Sequence, residues 1–378
     1  MDPWAQQPYP ALPPVQPQPQ PQPQPPPTSE PQRPASGLVA KWKGFVAKYG
    51  RMLWWAHSVY ALALGISVVL FASKGFAHAR WLSISLGVVW IVVIVFFRLF
   101  GDGKNQSVDP KAKVRFYVMT YVLKNMYQGM LFFLLPFYWR SAVWDAPTMW
   151  YVVVLAACAL LSTLDVVFDQ LLMKWKIAAS LFYFLTLFCC LNLVIPALFP
   201  NTRSLVTLVL AGGIASLAFW TMHIPFRYLG RPGIVALLVG WTLASLAGSY
   251  FGRRLVPPVA MHVEKGAIGP RMLEDGRLAI EATSLHTSLI NEYLWAVTDV
   301  YIPGGKGDRL VHVWRLDGEV VQRSEKVDAS PSGTTGMVRL TSLLLPENCP
   351  DDRAGHWLVD VETQDGQLVG RVEFDVID

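Results

Sequence analysis

The sequence is poor in charged residues. Asp, Glu, Lys and Arg make up only 16% of the 378 residues, and hydrophobic residues make up 53%. An average soluble domain is roughly a quarter charged. A chain with so little charge is poorly equipped to cover itself with a water-compatible surface, so an ordinary soluble protein is disfavoured and a membrane protein is predicted.

Cysteines and catalytic motifs are also scarce. Of four cysteines, Cys158, Cys189 and Cys190 fall in apolar runs and Cys349 stands alone in the polar C-terminal part, so neither a disulfide framework nor a zinc site is predicted. The sequence has no HExxH, CxxC, G-x-S-x-G, Walker or dinucleotide-binding pattern. We therefore expect no metal, no cofactor and no catalytic residues, which favours a non-enzymatic protein.

Long apolar runs are what the sequence has in abundance. Seven of them approach the ~20 residues that a membrane-spanning helix requires. They are 52–73, 81–100, 116–138, 148–172, 177–199, 205–223 and 233–251. Trp81, Trp139 and Trp150 lie near run ends, where aromatic rings favour the membrane interface. The predicted fold of residues 52–251 is a polytopic α-helical membrane bundle with about seven spans.

The distribution of Lys and Arg predicts how this bundle is oriented. About thirteen basic residues lie on the side of the N-terminus and about six on the other side. The positive-inside rule then places the N-terminus in the cytoplasm, and an odd number of spans places the C-terminal region on the opposite side. Because the basic residues cluster at predicted span boundaries, nucleic-acid binding is disfavoured.

The residues before the first run predict two different segments. Residues 1–36 are dominated by Pro and Gln, a composition that cannot bury apolar surface and predicts a disordered tail. Residues 37–51 alternate basic and apolar positions at helical spacing, which predicts an amphipathic helix lying along the membrane surface.

Polar side chains interrupt two of the apolar runs. We predict an intramembrane polar cluster formed by Lys124, Asn125, Gln128, Ser162, Asp165 and Asp169. Counting 1.5 Å per residue from the predicted cytoplasmic ends places Lys124 and Asp165 at the same depth. An unpaired charge there costs ~2.5–3.5 kcal/mol, which favours mutual pairing. A structural link between helices is the favoured interpretation, and a proton or ion site is the alternative.

Small residues repeat every four positions in the last run. The stripe consists of Gly240, Ala244, Gly248 and Gly252. Such a stripe lets a second helix approach closely. Packing within the bundle is favoured over the alternative, a homodimer interface.

After residue 251 the hydrophobic period changes from that of a helix to that of a strand. Residues 252–275 contain Pro-Pro and Gly-Pro pairs and predict a stiff linker. About seven short alternating segments follow in 276–378, and the Asp-Gly pairs ending at Gly318 and Gly366 each predict a two-residue hairpin turn. This pattern is typical of an immunoglobulin-like antiparallel β-sandwich.

Two segments of this region, VHVWRLDGEVV and GHWLVDVETQDGQLVGRVEFDV, resemble a bacterial module called domain of unknown function 2914, which follows membrane spans in envelope proteins. The matching motif positions are His312, Trp314, Gly318, Arg339, Gly355, Trp357, Gly366 and Phe374. The chain lacks the tryptophan that accompanies the arginine in that module. The preceding region is similar to an uncharacterised multi-spanning membrane family. The resemblance implies a Gram-negative inner membrane and a periplasmic C-terminal module, and it carries no activity.

Two main functional hypotheses follow. In the first, the bundle anchors a periplasmic β-sandwich that binds an envelope protein or a glycan, since edge strands, loops and exposed aromatics suit such partners. In the second, a transporter or membrane enzyme uses Lys124, Asp165 and Asp169 as an intramembrane site. A sensor that relays an outer ligand to the cytoplasmic tail is a third, weaker hypothesis.

Overall fold

Five long helices follow the apolar runs of the sequence. The computed structural model describes residues 110–164, 175–199, 201–224, 230–259, 261–290, 293–302, 307–328 and 336–377, together with Val88 and Tyr228. The helices are α1 (Pro110–Arg140), α2 (Thr148–Thr163), α3 (Lys176–Leu198), α4 (Ser204–His223), α5 (Pro232–Phe251) and a short α6 (Thr287–Ile290) in the C-terminal part.

Two segments of the described chain are long and apolar enough to cross a membrane. They are Ile177–Leu198 and Pro232–Arg254, with mean hydropathies of 2.2 and 1.7. Two further apolar helical segments, Thr148–Thr163 and Ser204–Trp220, are shorter. The described residues therefore do not support a count of seven spans.

Several predictions for the N-terminal part fall outside the described residues. The tail 1–36, the amphipathic helix 37–51 and most of the runs 52–73 and 81–100 are among them. These predictions stay predictions.

Helix α2 is shorter than the apolar run from which it was predicted. The run extends over 148–172, whereas the helix ends at Thr163 and Leu164 is extended, with φ −87° and ψ 101°. Ser162 Oγ donates to the carbonyl of Ala159 (2.6 Å) and Thr163 Oγ1 donates to that of Leu160 (2.7 Å). Hydroxyl groups that bind carbonyls of the preceding turn slightly destabilise a helix, so these two bonds are compatible with the early end.

Helices α1 to α4 share one hydrophobic core. It includes Leu131, Leu155, Leu193 and Leu208, one from each helix and each no more than 1% exposed. Helix α5 packs beside α4 and has no buried residue of its own. The described core is thus formed by α1 to α4 together with Val256 and Val259, which follow α5, and α5 lies at its edge.

The contact between α4 and α5 does not use the predicted small-residue stripe. Instead, a Cβ at Gly212 of α4 would collide with Ser249 of α5, and Ser245 Oγ donates to the Gly212 carbonyl (3.0 Å). A Cβ at Gly240, Gly248 or Gly252 would meet no atom within 4 Å in the described part of the chain. The close approach thus depends on a glycine of α4, and the stripe on α5 faces open space there.

Nine strands lie in the described part of the C-terminal region. They are β1 (His262–Gly269), β2 (Ser284–His286), β3 (Leu294–Tyr301), β4 (Arg309–Leu316), β5 (Glu319–Arg323), β6 (Val327–Asp328), β7 (Met337–Leu344), β8 (Gly355–Thr363) and β9 (Leu368–Ile377). One sheet has the order β1-β3-β7, and the other has the order β2-β9-β8-β4-β5 with β6 beside β4. All pairs are antiparallel except β2 with β9. The region is thus mostly antiparallel, consistent with the predicted β-sandwich.

Large aromatic residues fill the space between the two sheets. Trp314, Trp357 and Phe374 of the larger sheet pack with Ile268 and Leu294 of the smaller one. The ring of Phe374 stacks on that of Trp357, with centroids 5.9 Å apart, and meets Trp314 edge-on at 6.3 Å. These side chains occupy alternate strand positions, as the pattern predicts for inward-facing residues.

The two Asp-Gly pairs form different turns. Asp317 and Gly318 have φ angles of 47° and 89° and join β4 to β5 directly, which confirms the predicted two-residue turn. The prediction for Asp365-Gly366 is wrong, because four residues join Thr363 to Leu368 and only Gly366 among them has a positive φ (81°). Polar groups of the longer loop form hydrogen bonds with Arg253 and Val256, which follow α5.

Strand β1 lies inside the segment predicted as a linker, 252–275. It pairs with β3 over its whole length, from His262 opposite Tyr301 to Gly269 opposite Trp295. The β region therefore begins at His262, and the linker prediction is corrected to the short connection before it.

Candidate functional site

The predicted polar cluster of the helices is buried where it is described. Lys124 is 3% exposed, and Gln128 and Ser162 are fully buried. Asn125 is partly buried. The carboxylate partners predicted for Lys124, Asp165 and Asp169, lie outside the described residues, so the pairing stays a prediction.

Helix geometry places Lys124 level with the end of α2. Lys124 lies sixteen residues before Arg140, and Leu164 lies sixteen residues after Thr148, on the two sides of the α1–α2 loop. At 1.5 Å per residue, both positions are ~24 Å from that loop. The buried Lys124 side chain and the end of α2 thus occur at the same height in the bundle.

The predicted motif residues of the β region are mainly core and turn residues. Trp314 and Trp357 are fully buried, and Phe374 is 2% exposed. Arg339 lies on the surface, where its Nε and Nη2 donate to the two carboxylate oxygens of Asp299 at 2.7 and 3.0 Å. A Cβ at Gly355 would lie 2.9 Å from an Asp317 oxygen, so this glycine allows β8 to pass the turn at Gly318. The motif therefore describes how the sandwich is built.

His312 links the two sheets. Its Nε2 lies 2.8 Å from Thr298 Oγ1 and its Nδ1 lies 2.7 Å from Ser342 Oγ, both on the smaller sheet. Trp314 Nε1 donates to the same Ser342 oxygen (3.0 Å). Burial lowers the pKa of His312 to about 3, so the ring is neutral near pH 7. With both nitrogens in use and no exposed edge, His312 is placed as a structural link and not as an acid–base catalyst.

An arginine–carboxylate network crosses the larger sheet. Arg371 Nε donates to Asp360 Oδ1 (2.6 Å), and Arg315 Nε donates to Asp360 Oδ2 (2.8 Å). Arg315 also reaches Glu362 (2.9 Å), which accepts a further bond from Arg323 (3.3 Å). Three arginines thus meet two carboxylates, so the network carries one net positive charge and holds Arg371 in a fixed position.

The sandwich caps the first turn of α4. Arg203 occupies the N-cap position of that helix and provides no side-chain cap. Asp308, which is 2% exposed, accepts hydrogen bonds from the Ser204 backbone N–H (3.0 and 3.1 Å) and from its hydroxyl (2.8 Å). A carboxylate at a helix N-terminus accepts hydrogen bonds from N–H groups of the first turn and interacts favourably with the positive end of the helix dipole. A residue of the β region therefore completes a helix of the bundle.

Two more contacts join the β8–β9 loop to the end of α5. Arg253 Nε donates to the carbonyl of Asp365 (2.7 Å), and Gln367 Nε2 donates to the carbonyl of Val256 (3.4 Å). Arg203 Nη2 lies 3.8 Å from Asp365 Oδ2. Together with the Asp308 contact, they fix the sandwich against the helix ends.

A cleft of about 550 Å³ lies between the α1–α2 loop and the sandwich. Its charged lining consists of Arg140 at the end of α1, Asp145 of the α1–α2 loop, and Glu264, Arg371 and Glu373 from β1 and β9. Trp144 also lines it and is 69% exposed. Five charged side chains from both parts of the structure line this cleft, and we take it as the candidate functional site.

The sequence comparisons assign both parts of the chain to families. Residues 38–292 match a family of unknown function, DUF5924. The chain belongs to this family. Residues 307–376 match a second family described as a protein of unknown function, DUF2914, which confirms the module resemblance. No curated protein matches the chain.

The boundary between the two matches passes through the sandwich. Strands β1 and β2 belong to the first match and β4 to β9 lie within or at the edge of the second. Strand β1 joins the smaller sheet through β3, and β2 pairs with β9. Each family match therefore supplies strands to both sheets of one folded unit.

Sequence reasoning did not identify the cleft or the contacts that form it. Arg140 ends α1 and Asp145 lies in the loop that follows, and Asp308 is separated from Ser204 by 104 residues. The one usable signal was the mixed-charge, tryptophan-containing segment WRSAVWD between two apolar runs, since such a segment at a span end suits an interface.

Proposed function

We propose that this protein is an integral membrane protein whose helical bundle anchors the β-sandwich as a binding module at the bundle's end. The observation that carries the proposal is the exposed apolar surface of α5. Among its exposed apolar side chains are Val235, Leu237, Val239, Trp241, Leu243 and Phe251, which are 44–76% exposed. No described residue buries them.

The energetic argument favours lipid around α5. Burying one large apolar side chain contributes ~1.5–3 kcal/mol, so leaving six of them about half exposed to water forgoes roughly 5–9 kcal/mol. That is comparable to the whole stability of a typical domain. A hydrocarbon environment removes this cost, and α5 has the length to cross it.

The side of the membrane on which the sandwich would lie is inferred from the helix ends that are near it. The ends at Arg140, Leu198 and Phe251 and the starts at Thr148 and Ser204 lie toward the sandwich, as the alternating chain direction and the contacts of Asp308 and Arg253 require. With the N-terminus in the cytoplasm, seven spans would place the sandwich in the periplasm of a Gram-negative cell. There it would bind an envelope protein or a glycan.

Alkaline carbonate extraction and reporter fusions test this proposal. We expect the full chain to stay in the membrane pellet. A fusion at the C-terminus should be active with a periplasmic reporter, and one near residue 105 should be active with a cytoplasmic reporter. Release by carbonate, or both fusions reporting the same side, would refute it.

One observation favours a second candidate, an intramembrane proton or ion site. Helix α2 ends level with buried Lys124, and ionisable side chains beside helix ends occur at such sites. This candidate predicts that Lys124→Met abolishes proton- or ion-driven flux in proteoliposomes while Asn125→Ala retains it. Wild-type vesicles without any flux would exclude it.

The stripe Gly240, Ala244, Gly248 and Gly252 is proposed as the contact of a homodimer. Its open surroundings on α5 support this assignment. Replacing Gly248 with leucine should then convert a crosslinked dimer band into a monomer, and an unchanged band would contradict the assignment.

A further inference from the structure

The cleft between the α1–α2 loop and the sandwich, called the junction cleft below, has charged side chains on both of its walls. Arg140 and Asp145 stand on the loop wall, and Glu264, Arg371 and Glu373 stand on the sandwich wall. Among the described ion pairs of 4 Å or less, none joins the two walls. The cleft thus presents separated charges of both signs to whatever enters it.

The two walls are nevertheless close enough to interact electrostatically. Burial lowers the pKa of Arg371, but Asp360 raises it above its ordinary value with help from Glu373 and from Asp145 across the cleft. Burial lowers the pKa of His262, and Arg140 across the cleft lowers it further. A small charged group between the walls would therefore interact electrostatically with the charged side chains of both walls.

The guanidinium groups provide the anion-binding half of the cleft. Arg371 is held by Asp360, within the network that has one positive charge in excess. Arg140 is exposed on the opposite wall. Arginine side chains of this kind bind phosphate oxygens, often in bidentate fashion.

The carboxylates provide the cation-binding half. Asp145, Glu264 and Glu373 are all exposed, but no group of three such ligands converges for a metal ion in the described part of the chain. Dispersed acceptors suit a primary ammonium group, which has three N–H donors. A quaternary ammonium has no N–H group and would depend on Trp144, the one aromatic residue lining the cleft.

The position of the cleft identifies the molecule that could bring both groups. Trp139 and Trp144 stack edge to face at 5.2 Å, and they and Trp150 are 50–74% exposed at the helix ends. Exposed tryptophans at helix ends mark the headgroup level of a bilayer. This step rests on the proposed membrane location.

We propose that the junction cleft binds the headgroup of a zwitterionic phospholipid that carries a phosphate diester and a primary amine. The phosphate lies between Arg140 and Arg371, and the ammonium lies among Asp145, Glu264 and Glu373. The chemistry corresponds to phosphatidylethanolamine. The sandwich would then hold one lipid at the membrane surface.

Native mass spectrometry of the full chain in maltoside micelles tests the proposal. Bound lipid is measured during titration with phosphatidylethanolamine, phosphatidylcholine or phosphatidylglycerol. We expect about fivefold tighter binding of phosphatidylethanolamine than of the other two, the size of one exposed charge interaction. Equal binding of the three lipids would overturn the proposal.

Two substitutions separate the halves of the site. Arg140→Gln should weaken the binding of all three lipids alike, by about fivefold, since all three carry a phosphate diester. Asp145→Asn should weaken phosphatidylethanolamine only. Arg254→Gln, at an exposed arginine of the same end outside the cleft lining, is the matched control and should change neither.

Equal effects of Arg140→Gln and Arg254→Gln, or a loss of phosphatidylglycerol binding with Asp145→Asn, would refute the site. If Asp145→Asn also shifts thermal unfolding, Glu373→Gln replaces it with the same expected result. A carbonate-resistant protein without headgroup preference would overturn this inference alone, whereas release by carbonate would overturn the proposed function.

Discussion

Replacing Asp308 with alanine should loosen the first turn of α4, although Asp308 belongs to the sandwich. The substitution removes the acceptor of the Ser204 N–H and hydroxyl, at 2.8–3.1 Å, and Ser204 is itself only 3% exposed. Loss of a helix cap costs ~0.5–2 kcal/mol and loss of the favourable charge at the helix dipole ~0.3–1 kcal/mol. We expect a local destabilisation of about 2 kcal/mol.

Hydrogen exchange of the full chain in detergent, followed by mass spectrometry, measures this effect. A change of about 2 kcal/mol corresponds to roughly 30-fold faster exchange of the amides at the start of α4. Asp308→Asn should show a smaller increase, because its amide oxygen still accepts a hydrogen bond.

Asp299→Ala is the matched control for this experiment. Asp299 also accepts two hydrogen bonds, but from Arg339 at the exposed surface of the sandwich. It should leave exchange in α4 unchanged, since exposed ion pairs contribute little and this one is remote from the helix. Unchanged exchange in Asp308→Ala, or equal acceleration in both variants, would refute the idea that the sandwich stabilises α4.

Two further predictions concern the sandwich. The pKa of His312 is lowered to about 3, below its ordinary 6.5, so between these pH values the unfolded chain binds a proton that the folded chain does not, and the free energy of unfolding should fall as pH decreases from about 6.5 toward 3. In His312→Asn, the thermal unfolding temperature should depend less on pH in this window. An equal pH dependence in the variant and the wild type would contradict the assignment. A fragment of residues 261–377 should fold and give dispersed amide resonances, whereas a fragment of residues 307–377, which lacks β1 to β3, should not. Dispersed resonances from 307–377 would show that the region of the second family match folds without the strands that precede it.

The helix positions could be predicted because hydrophobic runs report burial directly. The limits of α3, α4 and α5 fall within a few residues of the runs, and the turn at Asp317-Gly318 follows from the φ angles that glycine allows. The end of α2 could not be read this way. The hydroxyl groups of Ser162 and Thr163 bind carbonyls there, but the same contact occurs at Thr186 and Thr242 inside helices that continue, so it does not specify an end.

Strand β1 was missed because its sequence, HVEKGAIG, has weak alternation and two glycines. Its position is set by tertiary contacts, since a Cβ at Gly266 would collide with Val372 of β9. The cleft was missed for a related reason. Its charges come from segments more than a hundred residues apart, and no local pattern specifies how Arg140 and Glu264 are brought to one place.

The short connection between α5 and β1 has a mechanical consequence. A flexible linker of n residues lets a domain search a radius of about 5–6 Å × √n. Here the connection is itself held, by the bond from Gln367 to Val256, and Arg253 grips the neighbouring loop. The sandwich therefore cannot move independently of the helix ends. A partner that pulls on it or tilts it exerts that force directly on α4 and α5.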